Sequence, residues 1–213
     1  MKERRNFFDD SAPGWDETCD IMKSNPRLDE LVFKFGIGKG RNKIIDMGCG
    51  TGIISERLLE LTGREGEIFC CDLSMKMLRI ARRKRNSSLP VSPGCCREGR
   101  ILHACADVHN LPFRSNFFDY MVCFSCFPHF ENKKKALGEI NRILKKGGCL
   151  IISHLLSSKE IADVHGKAGH AVSGDRMPPK NSMVGTIKAA GFKILEFQDR
   201  QGLYMLRAEK LHT

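Results

Sequence analysis

The stretch from Ile44 to Gly52, IIDMGCGTG, is the feature that most constrains the fold of this chain. Three glycines, Gly48, Gly50 and Gly52, alternate with other residues immediately after a short apolar run. Glycine tolerates positive φ angles, and a glycine-rich turn at a helix N-terminus presents backbone N–H groups to an approaching ligand. The pattern predicts a strand, a tight turn and a helix that together bind a ligand.

The rest of the chain alternates short apolar runs with helical patterns, which indicates a parallel sheet covered on both faces. Its 213 residues, 41% hydrophobic and 28% charged, fit one globular domain. The predicted strands have the length and the apolar content of strands buried on both faces. Strands one to five are KIID, EIFCCD, RILHACA, DYMVCF and CLIIS.

Helices are predicted between these strands. The first ends at Gly63, which we expect to be a left-handed cap. Ser74 is the candidate N-cap of the second, whose basic run Arg79 to Arg85 faces solvent. A third, roughly Lys133 to Leu144, ends at KKGG, where cations and then glycines are typical of a C-terminus.

Acidic residues follow the strands at the edge where ligands bind in open α/β folds. A dinucleotide motif requires a third glycine where Ile53 stands, so the spacing G-x-G-x-G argues against it. Asp72 can accept hydrogen bonds from ribose hydroxyls, and Asp107 from an exocyclic amine. With Asp46 these acids indicate a nucleoside without phosphates, although each acid alone can equally cap a helix.

Five motifs together resemble the class I S-adenosylmethionine-dependent methyltransferases. The resemblance spans residues 7 to 210 and is strongest to the small-molecule branch that includes quinone-biosynthesis C-methyltransferases. It implies an α/β, Rossmann-like, doubly wound and mostly parallel seven-stranded sheet, with helices on both faces. The implied strand order is 3-2-1-4-5-7-6, with FKILEFQDR and GLYMLRAEK as strands six and seven. The motifs are IIDMGCGTG, CDLSMKML, ADVHNLPF, FFDYMVCFSCFPHF and ALGEINRILKKGGCLIIS.

The resemblance implies S-adenosylmethionine as the cofactor and S-adenosylhomocysteine as the product. At the methionine end it implies that Gly48 and Gly50 pass along the ligand and that Asp46 orients its amino group. Gly52 completes the glycine floor, and Asp72 takes the ribose.

At the other end of the cofactor, the resemblance implies that Asp107 and the backbone of Val108 read the adenine. Leu73 and Met77 would pack on the adenine, and Phe124 would lie beside the methyl donor.

The N-terminal segment FFDDSAPGWDE resembles the part of such enzymes that covers the cofactor. We expect residues 1–40 to form a helical lid in which Phe8, Trp15 and Asp16 close over the donor. Residues 41–213 would then be the S-adenosylmethionine-binding domain, with a substrate-side insertion at about 154–185. Plain packing of Phe8 and Trp15 is the alternative.

Methyl transfer from a sulfonium is an in-line displacement that needs alignment and exclusion of water. A general base is needed only if the acceptor arrives with a proton. His129, His154 and His165 are the candidates to line the acceptor pocket, as acid/base groups or as ligands to a metal-bearing substrate. His170 falls in the same region, and Arg176 is a candidate anchor for an anionic acceptor. Solvated or core histidines are the alternative, and a metal site stays open.

That insertion also carries a helix signal. Ser157 and Glu160 fit a capping box, and Ile161 and Val164 would give the helix an apolar face.

The predicted function is methyl transfer to a small-molecule acceptor. A quinone-ring C-methyltransferase is one alternative, although the histidines and Arg176 do not favour its apolar pocket. A non-catalytic, S-adenosylmethionine-binding regulatory module is another. The net charge of +10 raises nucleic acid as a partner, but no basic run is interleaved with aromatics. The motif Asn/Asp-Pro-Pro-Tyr of nucleic-acid enzymes is also absent after strand four.

Composition predicts a cytoplasmic protein without a membrane segment. The charged start, MKERRNFFDD, is unlike a secretory signal, and YMVCFSCF is too short to span a bilayer. We therefore expect the ten cysteines to be reduced thiols rather than disulfides. Cys123 and Cys126 form a lone CxxC, without a second pair at the spacing of a zinc site. The oligomeric state is left open.

Overall fold

The computed structural model describes residues 2–17, 26–63, 65–88, 100–168 and 171–212. Cys95, Cys96 and His170 lie outside the described residues. The helices are α1 (Lys2–Ser11), α2 (Arg27–Phe33), α3 (Ser55–Thr62), α4 (Met75–Ser88), α5 (Lys133–Ile143), α6 (Ser158–Gly166) and α7 (Lys180–Ala189). The strands are β1 (Lys43–Met47), β2 (Glu67–Asp72), β3 (Arg100–Cys105), β4 (Phe118–Phe124), β5 (Leu144–His154), β6 (Phe192–Arg200) and β7 (Leu203–Lys210).

The strands form one seven-stranded sheet in the order β3-β2-β1-β4-β5-β7-β6. Strands β1 to β5 pair in parallel, and β7 runs antiparallel to both β5 and β6. The predicted order and the reversed last strand are therefore confirmed. Because the order changes direction at β1 and β4, the carboxyl ends of these two strands open the crevice that binds ligands in such sheets.

Two clusters of buried side chains cover the two faces of the sheet. One joins α5, α6 and α7 to the sheet through residues such as Leu137, Ile161 and Met183. The other joins α2, α3 and α4 to the opposite face, with Leu28 and Leu58 among its fully buried members. Helices on both faces are thus confirmed, and each of these six helices contributes at least one buried residue to its cluster.

Strand β3 departs from the expectation of burial on both faces. Leu102 is 41% exposed, and Arg100 and Cys105 are also exposed. In the part of the chain that the structure describes, β3 pairs only with β2, so it lies at the edge of the sheet, where apolar coverage is thinner.

The composition of the KKGG run predicted a helix end, and this prediction is wrong. Helix α5 ends at Ile143, and the buried Leu144 already pairs with Phe118 of β4. The next pairing joins Cys149 to Tyr120, so residues 145–148 form a bulge in β5. The glycines serve this bulge, in which Gly147 has a φ of +73°.

Of two further predicted helix ends, one is confirmed and the other is wrong. Ser74 is confirmed as an N-cap, because its Oγ accepts a hydrogen bond of 3.1 Å from the backbone N–H of Met77. Gly63 has a positive φ of +74°, but its ψ of −164° is extended. The chain therefore turns there without the left-handed helical cap that was expected.

The capping box at the start of α6 is confirmed, since the side chains of Ser157 and Glu160 each bond the backbone N–H of the other. The expected apolar face is wrong at Val164, which is 53% exposed, whereas Ile161 is buried. Among the described residues, no helix has the length and apolar content that crossing a bilayer requires.

Candidate active site

A cavity opens at the carboxyl edge of the sheet, between the loops that follow β1, β2, β3 and β4, and Arg4, Phe8 and Trp15 of the N-terminal segment also line it. Most of the predicted cofactor residues line it. They are Gly48, Gly50, Asp72, Leu73, Met77, Asp107, Val108 and Phe124. The fold brings them together because parallel strands deliver their following loops to one edge.

The glycine turn after β1 needs glycine for reasons internal to the protein. Gly48, Gly50 and Gly52 have φ angles of +67°, +55° and +86°, which other residues rarely adopt. A Cβ at Gly48 would lie 2.5 Å from the Cβ of Cys126. A Cβ at Gly52 would meet Ala81 of α4 at 3.4 Å, so Gly52 serves helix packing and is not among the residues that line the cavity.

Asp72 ties the two loops of the cavity floor together. Its carboxylate oxygens accept hydrogen bonds of 2.8 Å from the backbone N–H groups of Gly50 and Ser74. Burial raises the pKa of Asp72, and these two N–H groups oppose that rise. A carboxylate at the end of β2 is thereby fixed at the cavity wall.

Asp46 lies behind the turn and is not one of the cavity-lining residues. It is 1% exposed, and the hydroxyl of Ser55 donates a bond of 2.7 Å to its carboxylate. Burial raises the pKa of Asp46 to about 7, and the nearby charge of Asp72 adds to the rise, while the bond from Ser55 opposes it. Its contact with the amino group of the cofactor stays a prediction.

Asp107 is held by a histidine that the sequence did not single out. The Nδ1 of His109 lies 2.6 Å from the Asp107 carboxylate, and the His109 backbone N–H donates to the same oxygen at 3.0 Å. The backbone N–H of Asn132 donates to the His109 Nε2, so Nδ1 must carry the proton. The sequence signal was the D-x-H spacing, but the bond from Asn132 has no local signature.

The N-terminal segment contacts both floor loops. Trp15 lies over Gly50, with its Nε1 3.6 Å from where a Cβ would stand. Asp16 accepts a bond of 2.7 Å from the hydroxyl of Thr51 and pairs with Lys84. Phe8 and Trp15 line the cavity, and their rings meet edge to face at 5.9 Å. These contacts are consistent with the lid, which stays a prediction.

His129 is the one of the three predicted catalytic histidines that lines the described cavity. Its Nδ1 lies 2.6 Å from the Oδ2 of Asp175, and the ring of Phe8 packs against it at 5.2 Å. Burial lowers the pKa of His129, and the bond to Asp175 opposes that shift. The neutral imidazole is therefore the favoured form near neutral pH.

His165 and His154 lie close to His129 but are not among the residues that line the cavity. The ring of His165 is 4.8 Å from that of His129, and its Nδ1 is 2.9 Å from the backbone oxygen of Asp175. Burial lowers the pKa of His154 to about 3. Its Nε2 is buried and has no hydrogen-bond partner in the part of the chain that the structure describes.

The metal alternative gains no support, because the described ranges hold no group of three or more histidine, cysteine or acidic residues arranged to bind a metal ion. Arg176 is exposed and donates to the backbone oxygens of Ser173 and Asp175. It is not one of the cavity-lining residues.

Sequence reasoning missed two residues on this side, Arg4 and Asp175. Arg4 lines the cavity from α1 and forms an ion pair with Asp175, whose carboxylate also holds His129. The two are 171 residues apart, so no local pattern links them.

Residues 45–152 match the model of a family described as a methyltransferase domain. This match covers half of the chain and runs through all four loops of the cavity floor. The chain belongs to the methyltransferase domain family.

Curated relatives of this methyltransferase domain include the ubiquinone/menaquinone biosynthesis C-methyltransferase UbiE of Wigglesworthia glossinidia brevipalpis. It is 35% identical over 143 residues, which are 62% of this chain and 54% of the relative. The protein of the same name from Francisella tularensis subsp. novicida is 28% identical over 78% of this chain and 62% of the relative. The chain thus spans little more than half the length of these relatives.

Solved structures share the fold. A SAM-dependent methyltransferase from Aquifex aeolicus matches with a TM-score of 0.69 and 16% identity, over 92% of this chain and 98% of that one. The [4+2]-cyclase SpnF matches with a TM-score of 0.68 and 20% identity, over 87% of this chain and 80% of that one. At such identities the likeness shows the fold alone.

Family and fold indicate S-adenosylmethionine as the cofactor, and the residues of the cavity fit it. Two carboxylates, Asp72 and Asp107, lie among apolar side chains, and Arg4 is the only lysine or arginine in the described lining. Such a lining suits a nucleoside that carries a positive sulfonium and is unsuited to a chain of phosphates.

Proposed function

We propose that this chain transfers a methyl group from S-adenosylmethionine to a small-molecule acceptor by in-line displacement. The observation that carries the proposal is one cavity that is lined by the glycine turn, Asp72, Asp107 and His129 together. The cofactor, when bound, supplies an electrophilic methyl group on its sulfonium. A cytoplasmic location and an acceptor other than nucleic acid belong to the same proposal.

The residues that would hold the cofactor are those of the turn and of the strand ends. Gly48 and Gly50 would accommodate the methionine part, and Asp72 the ribose. Asp107, fixed by His109, would face the adenine edge, since its carboxylate can accept a hydrogen bond from an amine. Their contribution is to bind and orient, which accounts for much of the rate gain in an in-line transfer.

On the acceptor side, His129 would take the proton of an acceptor that arrives protonated. Its Nδ1 donates to the carboxylate of Asp175, which leaves Nε2 with a free lone pair. Because burial lowers its pKa, His129 is ready to accept a proton at neutral pH. His154 and His165 would act on the environment of His129 rather than on the acceptor.

Calorimetry with S-adenosylhomocysteine tests the cofactor assignment. We expect Asp72→Ala to weaken binding at least tenfold (about 1.4 kcal/mol or more), because two backbone N–H groups and the ribose hydroxyls lose the carboxylate that accepts their hydrogen bonds. Asp163→Ala, an exposed aspartate of α6, is the matched control and should bind as the unchanged protein does. Equal affinity in both variants would contradict the assignment.

A screen of cell extract for newly methylated molecules by mass spectrometry tests the reaction. S-Adenosylhomocysteine should form together with a methylated product, and His129→Ala should lower both. Binding of the cofactor without product formation from any acceptor would instead support the non-catalytic, regulatory alternative.

A quinone-ring C-methyltransferase is the second candidate, and two observations favour it. The curated relatives carry this description, and the cavity wall presents the aromatic rings of Phe8, Trp15, Phe124 and Phe130. The earlier objection from Arg176 is weakened, because that side chain is outside the cavity lining. Incubation with a benzoquinol and a naphthoquinol that each lack a ring methyl group tests it: a product carrying one added carbon-bound methyl supports it, and exclusive methylation of other classes of molecule excludes it.

A further inference from the structure

The carboxylate of Asp175 lies between two side chains from distant parts of the chain. Its Oδ2 is 2.6 Å from the Nδ1 of His129 and also accepts a hydrogen bond from Nη1 of Arg4 on α1. We propose that Asp175 is a positioning residue that fixes His129 as the base, and that it does so fully only while Arg4 holds α1 over the cavity. The inference deepens the proposed function and rests on it.

The burial of these groups makes the arrangement specific. The side chains of Asp175, Arg4 and His129 are 10%, 17% and 16% exposed. Arg4 also approaches Glu131, with Nε 3.6 Å from its Oε1. Charged pairs shielded from solvent are stronger than exposed ones, and breaking one leaves a poorly solvated charge.

The hydrogen bond sets the chemistry of His129. An ionised carboxylate can only accept, so the proton of the neutral imidazole resides on Nδ1 and the lone pair on Nε2. Burial raises the pKa of Asp175, but the bonds to His129 and Arg4 outweigh it and leave the pKa below its usual value. Asp175 therefore stays ionised. Without it, the two tautomers of His129 would mix and the ring would turn more freely.

Helix α1 is attached to the rest of the chain by polar and ring contacts. It contributes no buried residue in the structure. On the cofactor side, Asp9 accepts hydrogen bonds from the hydroxyl of Ser74 and the backbone N–H of Lys76.

The attachment of α1 near the acceptor side consists of the Arg4 ion pairs and the edge contact of Phe8 with His129. Because α1 buries no residue, these contacts can break without exposing the core, although breaking the shielded Arg4–Asp175 pair carries a cost. Closure of α1 over the cofactor and completion of the Arg4–Asp175–His129 triplet are thus one event.

The two partners should shift the pH dependence in opposite directions. The bond and charge of Asp175 raise the pKa of His129, whereas the charge of Arg4 lowers it. His165 from α6 also lowers it, and His154 from β5 and Lys133 from α5 are the other titratable groups nearby. Asp175→Asn should move the acidic limb of kcat to lower pH, and Arg4→Gln should move it to higher pH.

The test that does not depend on turnover is nitrogen NMR of the imidazole of His129 in the protein saturated with S-adenosylhomocysteine. The unchanged protein should show one tautomer, protonated at Nδ1. Asp175→Asn should show a mixture, and Arg4→Gln a smaller change in the same sense. Asp163→Asn and Arg5→Gln, both exposed positions, are the matched controls. A single unchanged tautomer in Asp175→Asn would overturn the proposal.

Kinetics with whichever acceptor the screen identifies gives the second readout. We expect Asp175→Asn to lower kcat by about tenfold to a hundredfold, less than the full worth of a general base, with KM for S-adenosylmethionine within about twofold. Arg4→Gln should lower kcat less and raise that KM, because it acts on closure. Unchanged kcat and pH limb in Asp175→Asn would reject the proposal while leaving the methyltransferase assignment intact.

The fluorescence of Trp15, the single tryptophan of the chain, reports closure directly. S-Adenosylhomocysteine should shift its emission in the unchanged protein and in Arg5→Gln, and should shift it less in Arg4→Gln. If no acceptor is ever found, the proposed function fails, but the tautomer and the emission still decide whether Arg4 and Asp175 couple α1 to His129. Equal emission changes in Arg4→Gln and Arg5→Gln would disprove that coupling.

Discussion

Gly48 carries two independent constraints at a single residue. Its φ of +67° suits glycine, and a Cβ there would collide with Cys126 at 2.5 Å. The backbone after β1 must therefore pass directly beneath the loop after β4. This close approach, rather than the ligand alone, accounts for the first glycine of the motif.

Substitution of Gly48 by alanine should be costly for stability and for the site. We expect a loss of about 1–3 kcal/mol in the free energy of unfolding from strain and overpacking, with weaker binding of S-adenosylhomocysteine. Urea denaturation and calorimetry measure both. Gly185→Ala is the control: this exposed glycine lies inside α7 with open space around it, so it should gain about 0.5–1 kcal/mol. An alanine at 48 that binds normally would contradict the argument.

The raised pKa of Asp46 predicts a stability that falls with pH. The carboxyl titrates near pH 7 when folded and near pH 4 when unfolded. Its stabilising effect is therefore present below about pH 4 and is lost as the pH rises to about 7, because unfolding then releases a proton. Replacement by asparagine, which can still accept from Ser55, removes this dependence.

Urea denaturation at pH 5 and pH 8 should reveal the difference. Asp46→Asn should lose less stability between these values than the unchanged protein, by an amount on the order of 2–3 kcal/mol. Asp72, whose pKa is also raised, is present in both proteins, so its own titration is common to both apart from its charge coupling to Asp46. An identical pH dependence in both would show that Asp46 ionises normally.

At the level of single residues, the sequence predicted the residues at the carboxyl edge of the sheet but not the distant side chains that contact the site. Gly48, Gly50, Asp72 and Asp107 were identifiable because each stands in a short motif at the end of a strand. The partnership of Arg4 with Asp175 arises only when the chain is folded, so it leaves no periodicity or spacing to detect.

Among the helices and strands, α6 shows how a capping box fixes the start of a helix close to His129. Glu160 accepts bonds of 2.8 Å from the backbone N–H groups of Ser157 and Gly202, so the cap also anchors the turn between β6 and β7. These N–H groups lower the pKa of Glu160 to about 2. The helix that carries His165 is thereby tied to the sheet.

Replacement of Ser157 by alanine should cost about 1 kcal/mol in the free energy of unfolding, the usual value of a lost N-cap. Because His165 contacts His129, we also expect a small change in the tautomer spectrum of His129. Ser182→Ala, at an exposed position of α7, is the control for serine removal within a helix and should alter stability by less than about 0.5 kcal/mol. Equal losses in the two variants would argue against the cap.

Elements were predictable where hydrophobic pattern and position agree. Strands one to five were located to within a residue or two at most ends, since each is a short apolar run, whereas strands six and seven followed from the family resemblance. The exception is the start of β5, where charged and glycine residues look like a helix end. Pairing of the buried Leu144 with Phe118 overrides that local preference, and only the assembled sheet supplies the pairing.

The molecule as a whole consists of a packed sheet domain and an N-terminal helix that lies outside both buried clusters. Both buried clusters consist of residues from α2 onward in the described ranges, and α1 contributes to neither. We therefore expect α1 to contribute less to the stability of the domain than the helices of the two clusters do, whereas Arg4, Phe8 and Trp15 of the N-terminal segment line the cavity. Stability and function are thus assigned to different parts of the chain.

Deletion of residues 1–17 tests this division. The shortened chain should still unfold cooperatively, because both buried clusters remain complete. Its stability should fall by an amount on the order of 2–5 kcal/mol, from loss of the shielded Arg4–Asp175 pair and of the smaller polar and ring contacts. Its affinity for S-adenosylhomocysteine should fall at least tenfold, because one wall of the cavity is gone and the ligand is left open to water.

Thermal denaturation with and without the ligand measures both quantities. A saturating ligand should raise the melting temperature of the full chain by several degrees, and that of the shortened chain by much less. If the shortened chain failed to fold, α1 would belong to the core after all, and if it bound the ligand as tightly as the full chain, α1 would have no part in the site.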